Sequence, residues 1–142
     1  MKDKYNEVIR IVNQWIDIAE EDLKFAKHGL SISSGVSYRI ITFHSQQCVE
    51  KYLKAFLLFH GIDFPHTHNI TTLLDLCSEI DKSFERLRKA EILTSYATAS
   101  RYPGEYGKLR KSEALSSIKL SEMVRLYVRN KFIEDGLKLK KT

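Results

Sequence analysis

The chain has 142 residues, of which 43% are hydrophobic and 29% charged, with two prolines and a formal net charge of +5. This length and composition predict one core-forming globular domain and exclude a disordered, collagen-like or proline-rich chain. The two cysteines, Cys48 and Cys77, lie in apolar stretches, which excludes a disulfide framework and a paired-cysteine zinc site. No apolar run is long enough to span a membrane, and the chain opens with charges, so a cytoplasmic protein is expected.

The positive charge is concentrated in the last third of the chain. Residues 1–100 hold 12 Lys+Arg against 13 Asp+Glu, whereas residues 101–142 hold 11 against 5. This asymmetry favours an anionic partner such as nucleic acid or a nucleotide. A solvated basic face is the simpler alternative, and the sequence does not separate the two.

The first two predicted elements are long helices separated by a glycine-containing turn. From Val8 to Ala26, apolar residues recur at three- and four-residue steps, with charged residues on the other face, as in an amphipathic helix. The second segment, from Ser37 to His60, is apolar over most of its circumference. We therefore predict that it is the central helix, with Gly61 as its C-terminal cap.

Three further helices follow at similar spacing. A short third helix is expected after an N-cap at Asn69 or Thr71, and a fourth after Asp81 or Ser83. A loop rich in glycine and tyrosine then separates the fourth helix from a fifth, which is predicted to begin near Ser112.

The predicted fold class is all-α, because no segment alternates polar and apolar residues over the length of a strand. Short connections make neighbouring helices antiparallel. We expect a single helical domain over residues 1–132 and a basic C-terminal tail over residues 133–142 that frays from Ile133 onward.

Several motifs on these helices match the pattern of one family. The matching residues are Trp15, Ala19, Asp22, Leu23 and Ala26; Phe43, Gln46, Gln47, Glu50, Lys51, Leu53, Lys54 and Ala55; Thr67 and His68; and Tyr96, Arg101, Tyr102 and Pro103. With this order and spacing, the chain resembles the HEPN family from about Trp15 to Val128. The glutamine, glutamate and lysine motif of the second helix is the most specific part of the resemblance.

The resemblance implies an up-and-down bundle of four to five antiparallel helices that is usually dimeric and often encoded beside a minimal nucleotidyltransferase as a toxin-antitoxin pair. Some members are metal-independent ribonucleases with an arginine followed four to six residues later by a histidine, near the loop before the last long helix. Here the matching arginine is Arg101, and no histidine follows His68. We therefore expect little or no ribonuclease activity. The string from Arg39 to His44 has the spacing but lies in the second helix, and we interpret it as chance.

The loop that begins at Arg101 is the candidate for binding a nucleotide or RNA. Arginine can hold a phosphate with two hydrogen bonds, tyrosine rings can stack on bases, and further cations follow directly. The predicted binding residues are Arg101, Tyr102, Tyr106, Lys108, Arg110 and Lys111, and Arg101 is also the candidate catalytic residue. The alternative is a structural loop in which Arg101 pairs with Glu50 or Glu105.

Polar residues embedded in the apolar second helix form a second candidate group. The spacing offers the neighbours Gln47 with Lys51 and Glu50 with Lys54. Together with His68, these residues are predicted to form a structural polar network that ties the helix to nearby loops, and direct contact with a ligand is the alternative. No metal or cofactor is expected, although His66 and His68 bracket a threonine as in some zinc sites.

These residues fit three functions. The first is a nucleotide- or RNA-binding HEPN protein, a homodimer paired with a minimal nucleotidyltransferase. The second is a metal-independent ribonuclease toxin that uses Arg101, although tyrosine is a poor general base near neutral pH. The third is a purely structural oligomerisation bundle.

Overall fold

The computed structural model describes residues 2–32, 34–101 and 109–140, with the backbone alone at residues 97–101. Within these ranges the chain is helical and contains no strand, which confirms the predicted all-α class. The five α-helices are α1 (Lys2–Gly29), α2 (Tyr38–Phe59), α3 (Ile70–Ile80), α4 (Ile92–Arg101) and α5 (Lys111–Glu134), and a 3-10 helix (Lys82–Glu91) precedes α4.

Helix α2 is the centre of the bundle, as its apolar circumference predicted. It packs against α1, α3, α4 and α5, and more than half of its residues are buried. Helix α1 runs antiparallel to it, because its last residue, Gly29, meets Ile41 near the start of α2. Earlier in α1, Glu20 accepts a hydrogen bond from Tyr52 in the second half of α2.

Helix α5 runs parallel to α2 and therefore antiparallel to α1. The Ser121 hydroxyl donates to the Ser45 carbonyl at 2.7 Å, and further along α5 the Phe132 ring lies 5.6 Å from that of Phe59. Helix α4 approaches the beginning of α5, where Tyr96 of α4 lies near Glu113 of α5. Burial, and then the negative charge of the Glu113 carboxylate, raise the pKa of Tyr96. The C-terminal ends of α1 and α4 and the N-terminal ends of α2 and α5 therefore share one end of the bundle.

The predicted fourth helix is divided into a 3-10 helix and α4, which corrects the prediction of one continuous helix. The reason lies in the apolar spacing, because Phe84, Leu87, Ala90 and Leu93 are buried and follow one another at steps of three. A 3-10 helix has three residues per turn and places such a set on one face. Asp81 caps it, and hydrogen bonds from Ser83 and Lys131 lower the pKa of Asp81 to about 2.

The C-terminal tail does not fray from Ile133, so that prediction is wrong. Helix α5 continues to Glu134, and Gly136, with a φ of 89°, ends it through paired backbone hydrogen bonds typical of a glycine C-cap. The turn returns the chain to the core, where Leu137 is buried. Arg129 then donates to the Lys140 carbonyl at 2.7 Å and fastens the tail to α5.

Two predicted helix caps are confirmed. Gly61 follows α2 with a φ of 71°, and the amides of Gly61 and Ile62 donate to carbonyls of the last turn. Asn69 caps α3, because its side chain accepts a hydrogen bond from the Thr72 amide. These caps fix both ends of the loop over residues 60–69, which carries His68.

Candidate functional site

A row of polar side chains runs along one face of α2. His44, Gln47, Lys51 and Lys54 are spaced by three, four and three residues, which places them on one stripe of a helix. Each of these residues is partly exposed, whereas the two carboxylates that they contact are buried. Burying an unpaired carboxylate costs free energy, so the two carboxylates need the polar side chains of this row as partners.

The first carboxylate is Glu50, whose residue is 2% exposed. One of its oxygens accepts hydrogen bonds from Lys54 Nζ at 3.0 Å and His68 Nδ1 at 2.8 Å. The other accepts from the side-chain amides of Gln46 and Gln47, the latter at 3.3 Å. We name these five residues the Glu50 cluster; its charge is matched and its oxygens are occupied.

Two aromatic rings flank the lysine of this cluster. Lys54 Nζ lies 5.9 Å from the ring centroid of Trp15 and 5.8 Å from that of Phe64, within the range of cation–π attraction. The two rings meet edge to face at 6.2 Å. Helix α1, helix α2 and the loop over residues 60–69 are thus joined at Lys54.

The second carboxylate is Asp22 of α1, which is 9% exposed. It accepts a hydrogen bond from His44 Nδ1 at 2.8 Å and another from Lys51 Nζ at 2.5 Å. The Phe25 ring packs on the imidazole of His44, with 4.6 Å between centroids. We name Asp22, His44 and Lys51 the Asp22 cluster.

Four of the five residues of the predicted polar network lie in the Glu50 cluster, and the fifth lies in the Asp22 cluster. Gln47, Glu50, Lys54 and His68 share the Glu50 cluster, and the Glu50–Lys54 pair has the predicted spacing. Lys51 instead donates to Asp22. The sequence did not predict the pairing of Asp22 with His44 and Lys51, although one signal was present: Asp22 is an acidic residue on the buried stripe of α1.

The two histidines are held in the same way. Each uses Nδ1 toward a buried carboxylate that also binds a lysine, so the second ring nitrogen, Nε2, points away from that carboxylate. A carboxylate that fixes the ring orientation and the tautomer is the usual support for a histidine that transfers a proton or binds a ligand. The side chain of His68 is 57% exposed and that of His44 is 27% exposed.

The predicted binding loop is only partly described. Arg101 is the last residue of α4, and its side chain lies outside the described residues, as do Tyr102, Tyr106 and Lys108. Arg110 and Lys111 are exposed at the start of α5, where the Arg110 amide donates to Glu113 Oε1 at 2.8 Å. The suggested pair between Arg101 and Glu50 falls outside what the structure describes.

One end of the bundle is rich in cations. It is the end shared by the last turns of α1 and α4 and the first turns of α2 and α5, and we name it the basic end. Its cationic positions are Lys24, Lys27, Arg39, Arg101, Arg110 and Lys111. Two carboxylates at this end are already engaged, since Glu113 caps α5 and Glu122 lies 3.7 Å from Lys27. Glu21, beside Lys24, is a third carboxylate. Among the described side chains of these turns, five cations therefore stand against three carboxylates, and the net charge is positive.

The cysteines offer no reactive thiol. Cys48 and Cys77 are both fully buried, and burial raises the pKa of each thiol above its usual range, which keeps it protonated.

Among the described residues, no three His, Cys, Asp or Glu side chains gather as a metal site would require. In the same ranges, no helix has the length and hydrophobicity needed to cross a bilayer.

The sequence matches a relative with a descriptive name. It is 32% identical over 105 residues to "Putative toxin MJ1304" of Methanocaldococcus jannaschii, and the match covers 69% of this chain and 67% of the relative.

Two solved structures share the fold. The crystal structure of TT1696 from Thermus thermophilus matches with a TM-score of 0.68 at 23% identity, covering 84% of this chain and 97% of the other. ST0689, described as an archaeal HEPN homologue, matches with a TM-score of 0.60 at 24% identity, covering 84% and 96%. The family model of the HEPN domain matches residues 12–131, a range that contains both carboxylate clusters and the start of α5. The chain therefore belongs to the HEPN domain family.

Proposed function

We propose that this protein is the HEPN member of a toxin-antitoxin-type pair and binds a nucleotide or RNA at the basic end of the bundle. The observation that supports this most strongly is the meeting of four helix ends that carry cations from parts of the chain far apart in sequence. Cations concentrated on one surface attract a phosphate backbone more strongly than the same charges spread over the molecule.

The residues proposed to contact the ligand are those of the Arg101 loop and the first turn of α5. Arg101 would bind a phosphate through its guanidinium, with Lys108, Arg110 and Lys111 adding charge. Tyr102 and Tyr106 would provide stacking faces for bases. In this proposal the Glu50 and Asp22 clusters position α1, α2 and the loop over residues 60–69 behind the binding surface.

The toxin-antitoxin pairing rests on the relative whose name describes a toxin. A minimal nucleotidyltransferase is the proposed partner, and the neighbouring gene is the direct test. A product with a Gly-Ser and paired-Asp signature that co-purifies with this protein is expected. An unrelated neighbour that does not bind the purified chain would contradict the pairing.

RNA affinity should fall steeply with salt and depend on the basic end. For single-stranded RNA measured by fluorescence anisotropy, replacing Arg110 and Lys111 together by alanine should lower the slope of log K against log salt by roughly 0.7 for each phosphate that is no longer neutralised. Arg101→Ala should weaken binding and leave the circular dichroism melt unchanged, because in this proposal Arg101, the last residue of α4, acts through its charge on the ligand.

The matched control replaces Lys2 and Lys4, two exposed cations at the opposite end of α1. This double variant removes the same charge and should retain most of the affinity and the salt slope. Equal losses of RNA affinity in both double variants would show that binding depends on the net charge of the protein and not on the position of the cations. An Arg101→Ala protein that melts early but binds RNA normally when folded would show that Arg101 is structural.

Ribonuclease activity is the second candidate function, and we expect it to be absent or marginal. Every histidine precedes Arg101 in the chain, and general acid–base assistance is typically worth about 10²–10⁴-fold in rate. The observation that keeps this function testable is the support of His44 and His68 by buried carboxylates. Cleavage of single-stranded and structured RNA is measured for wild type, His44→Ala, His68→Ala and Arg101→Ala. Robust wild-type cleavage that Arg101→Ala abolishes would overturn this expectation.

We also propose a homodimer. Several large apolar side chains on the outer faces are exposed, among them Ile18, Phe25 and Leu126, at 44%, 55% and 59%. Light scattering at micromolar concentration should report twice the chain mass of 16.5 kDa. A monomer over the whole concentration range would contradict it. A dimer that binds neither RNA nor nucleotide would favour the purely structural bundle.

A further inference from the structure

A groove of about 560 Å³ runs along the seam where α1 packs beside α5. The residues that line it are Glu20, Glu21, Leu23, Lys24, Lys27 and Arg125. On α1 the groove extends from Glu20 to Lys27, a distance of about 10 Å along a helix. An extended chain covers that distance with about three residues, so the groove has the length of a short peptide segment.

The tail of the chain already covers the other part of this seam. Residues 137–140 follow α5 without regular secondary structure and cross from α5 to α1. The Lys140 carbonyl accepts a hydrogen bond from Arg129 at 2.7 Å, and Lys140 Nζ lies 3.7 Å from Asp17. Arg129 also donates to Glu20 at 3.4 Å, so the groove begins where the tail stops. The seam thus binds an irregular chain segment through a guanidinium and an ion pair.

Two guanidinium groups share one carboxylate at this junction. Arg125 Nε at 2.6 Å, Arg129 at 3.4 Å and the Tyr52 hydroxyl all donate to the same oxygen of Glu20. One positive charge is therefore in excess. The side chains of Arg125 and Arg129 are only 24% and 12% exposed, and a charge that is partly removed from water gains from a further anionic partner.

The charge of the groove selects the class of partner. Beyond the junction, Lys24 and Lys27 add two cations, and Glu21 and Glu122 offset them. The excess at the junction therefore remains, and it favours an acidic segment. The same excess disfavours the basic tail of a second copy of this chain. Arginine clusters are a common means of recognising acidic motifs in proteins.

RNA matches this groove less well than a protein segment does. Glu20, Glu21 and Glu122 border it and would repel a continuous phosphate backbone. The six residues that line it include no aromatic ring on which a base could stack. A peptide can place carboxylates only where the cations lie, and its main-chain carbonyls can accept hydrogen bonds as that of Lys140 does.

From these observations we infer that the groove between α1 and α5 binds an acidic segment of a partner protein, whose carboxylates pair with Arg125, Lys24 and Lys27. The inference goes beyond the RNA or nucleotide ligand of the proposed function, because it assigns a second surface. Arg125 distinguishes the two surfaces, since it lies outside the basic end, whereas Lys24 and Lys27 lie where they meet.

Selection of short random peptides displayed on phage, with the whole chain as bait, tests the assignment. The recovered peptides should be enriched in aspartate and glutamate. Replacing those residues by asparagine and glutamine should weaken binding, measured by fluorescence anisotropy, by about tenfold or more, the scale of one charge-assisted hydrogen bond. Arg125→Gln should weaken the acidic peptide by a similar factor. Its fold is expected to persist, because Glu20 keeps Arg129 and Tyr52 as partners.

The matched control for Arg125→Gln is Arg10→Gln. Arg10 lies on α1 far from the groove, where its exposed side chain pairs with Glu7. The Arg10→Gln protein should bind the peptide like the wild type. Arg125→Lys keeps the charge and loses the planar fork, so its affinity should fall between those of wild type and Arg125→Gln. Lys24→Gln changes an exposed position and should weaken the peptide without affecting the fold.

Three results would overturn the inference. The first is the recovery of no peptides, of peptides without acidic enrichment, or of peptides that bind Arg125→Gln as tightly as wild type. The second is an equal loss of RNA and peptide affinity in Arg125→Gln, which would assign the groove to the RNA surface. The third is a lower mass of Arg125→Gln in light scattering, which would assign it to an interface between copies. Salt-dependent RNA binding without peptide binding would leave the proposed function standing.

Discussion

Replacing Glu50 by alanine is expected to destabilise the protein by about 3–5 kcal/mol, the usual cost of removing one member of a buried ionic cluster. The carboxylate is 2% exposed and accepts hydrogen bonds from Lys54, His68 and two glutamine amides. Without it, the Lys54 ammonium, whose side chain is 11% exposed, has no carboxylate partner from this cluster inside the bundle. Denaturant unfolding followed by circular dichroism measures the change directly.

A graded series makes this prediction sharper. Glu50→Gln keeps the shape and part of the hydrogen bonding, so its loss of stability should fall between those of wild type and Glu50→Ala. Glu134→Ala removes an exposed carboxylate, 67% accessible, at the end of α5 and should stay within about 0.5 kcal/mol of wild type. If Glu50→Ala folds as stably as wild type but does not bind ligand, the cluster is a ligand site and not a structural network.

Phe84→Ala should cost about 3–5 kcal/mol, the range for removing a buried aromatic side chain. Phe84 is fully buried in the 3-10 helix, where its ring lies 4.4 Å from that of Phe56 and 5.3 Å from that of Tyr127. The truncation would open a space between α2, α5 and the 3-10 helix that the surrounding rings can fill only in part. Thermal melting should show a drop of about 10 °C or more.

Phe25→Ala is the matched control for this truncation. It makes the same substitution at a residue that is 55% exposed, so little apolar area leaves the core and the change in the free energy of unfolding should be small. If Phe84→Ala lowers the free energy of unfolding as little as Phe25→Ala does, the 3-10 helix is not part of the cooperative core.

Helical periodicity, turn residues and cap residues predicted most of the fold. The apolar second segment predicted a central helix, and α2 packs against four other helices. Gly61 and Asn69 predicted the cap positions of α2 and α3. These features depend on interactions within a few residues of one another, so the local sequence specifies them.

Two boundaries required more than the periodicity of the apolar residues. A single step of three occurs in an amphipathic α-helix as well as in a 3-10 helix. Only the run of three such steps from Phe84 to Leu93, packed against Phe56 and Tyr127, distinguishes the tighter form. The basic composition of the tail predicted fraying, yet the glycine cap at Gly136 directs the chain so that Leu137 is buried in the core. Neither contact can be read from the residues of one segment.

The sequence by itself determined the all-α class, the order of the helices and the polar stripe of α2, because each follows from spacing along one helix. Only the tertiary structure decided which partners the stripe meets: Lys51 is nearest Glu50 in sequence, but the antiparallel packing of α1 brings Asp22 to it and to His44. The basic end likewise exists only in three dimensions, since α1 and α5 lie far apart in the chain. Helical spacing is local, whereas partner choice depends on how buried charges find compensation across the bundle.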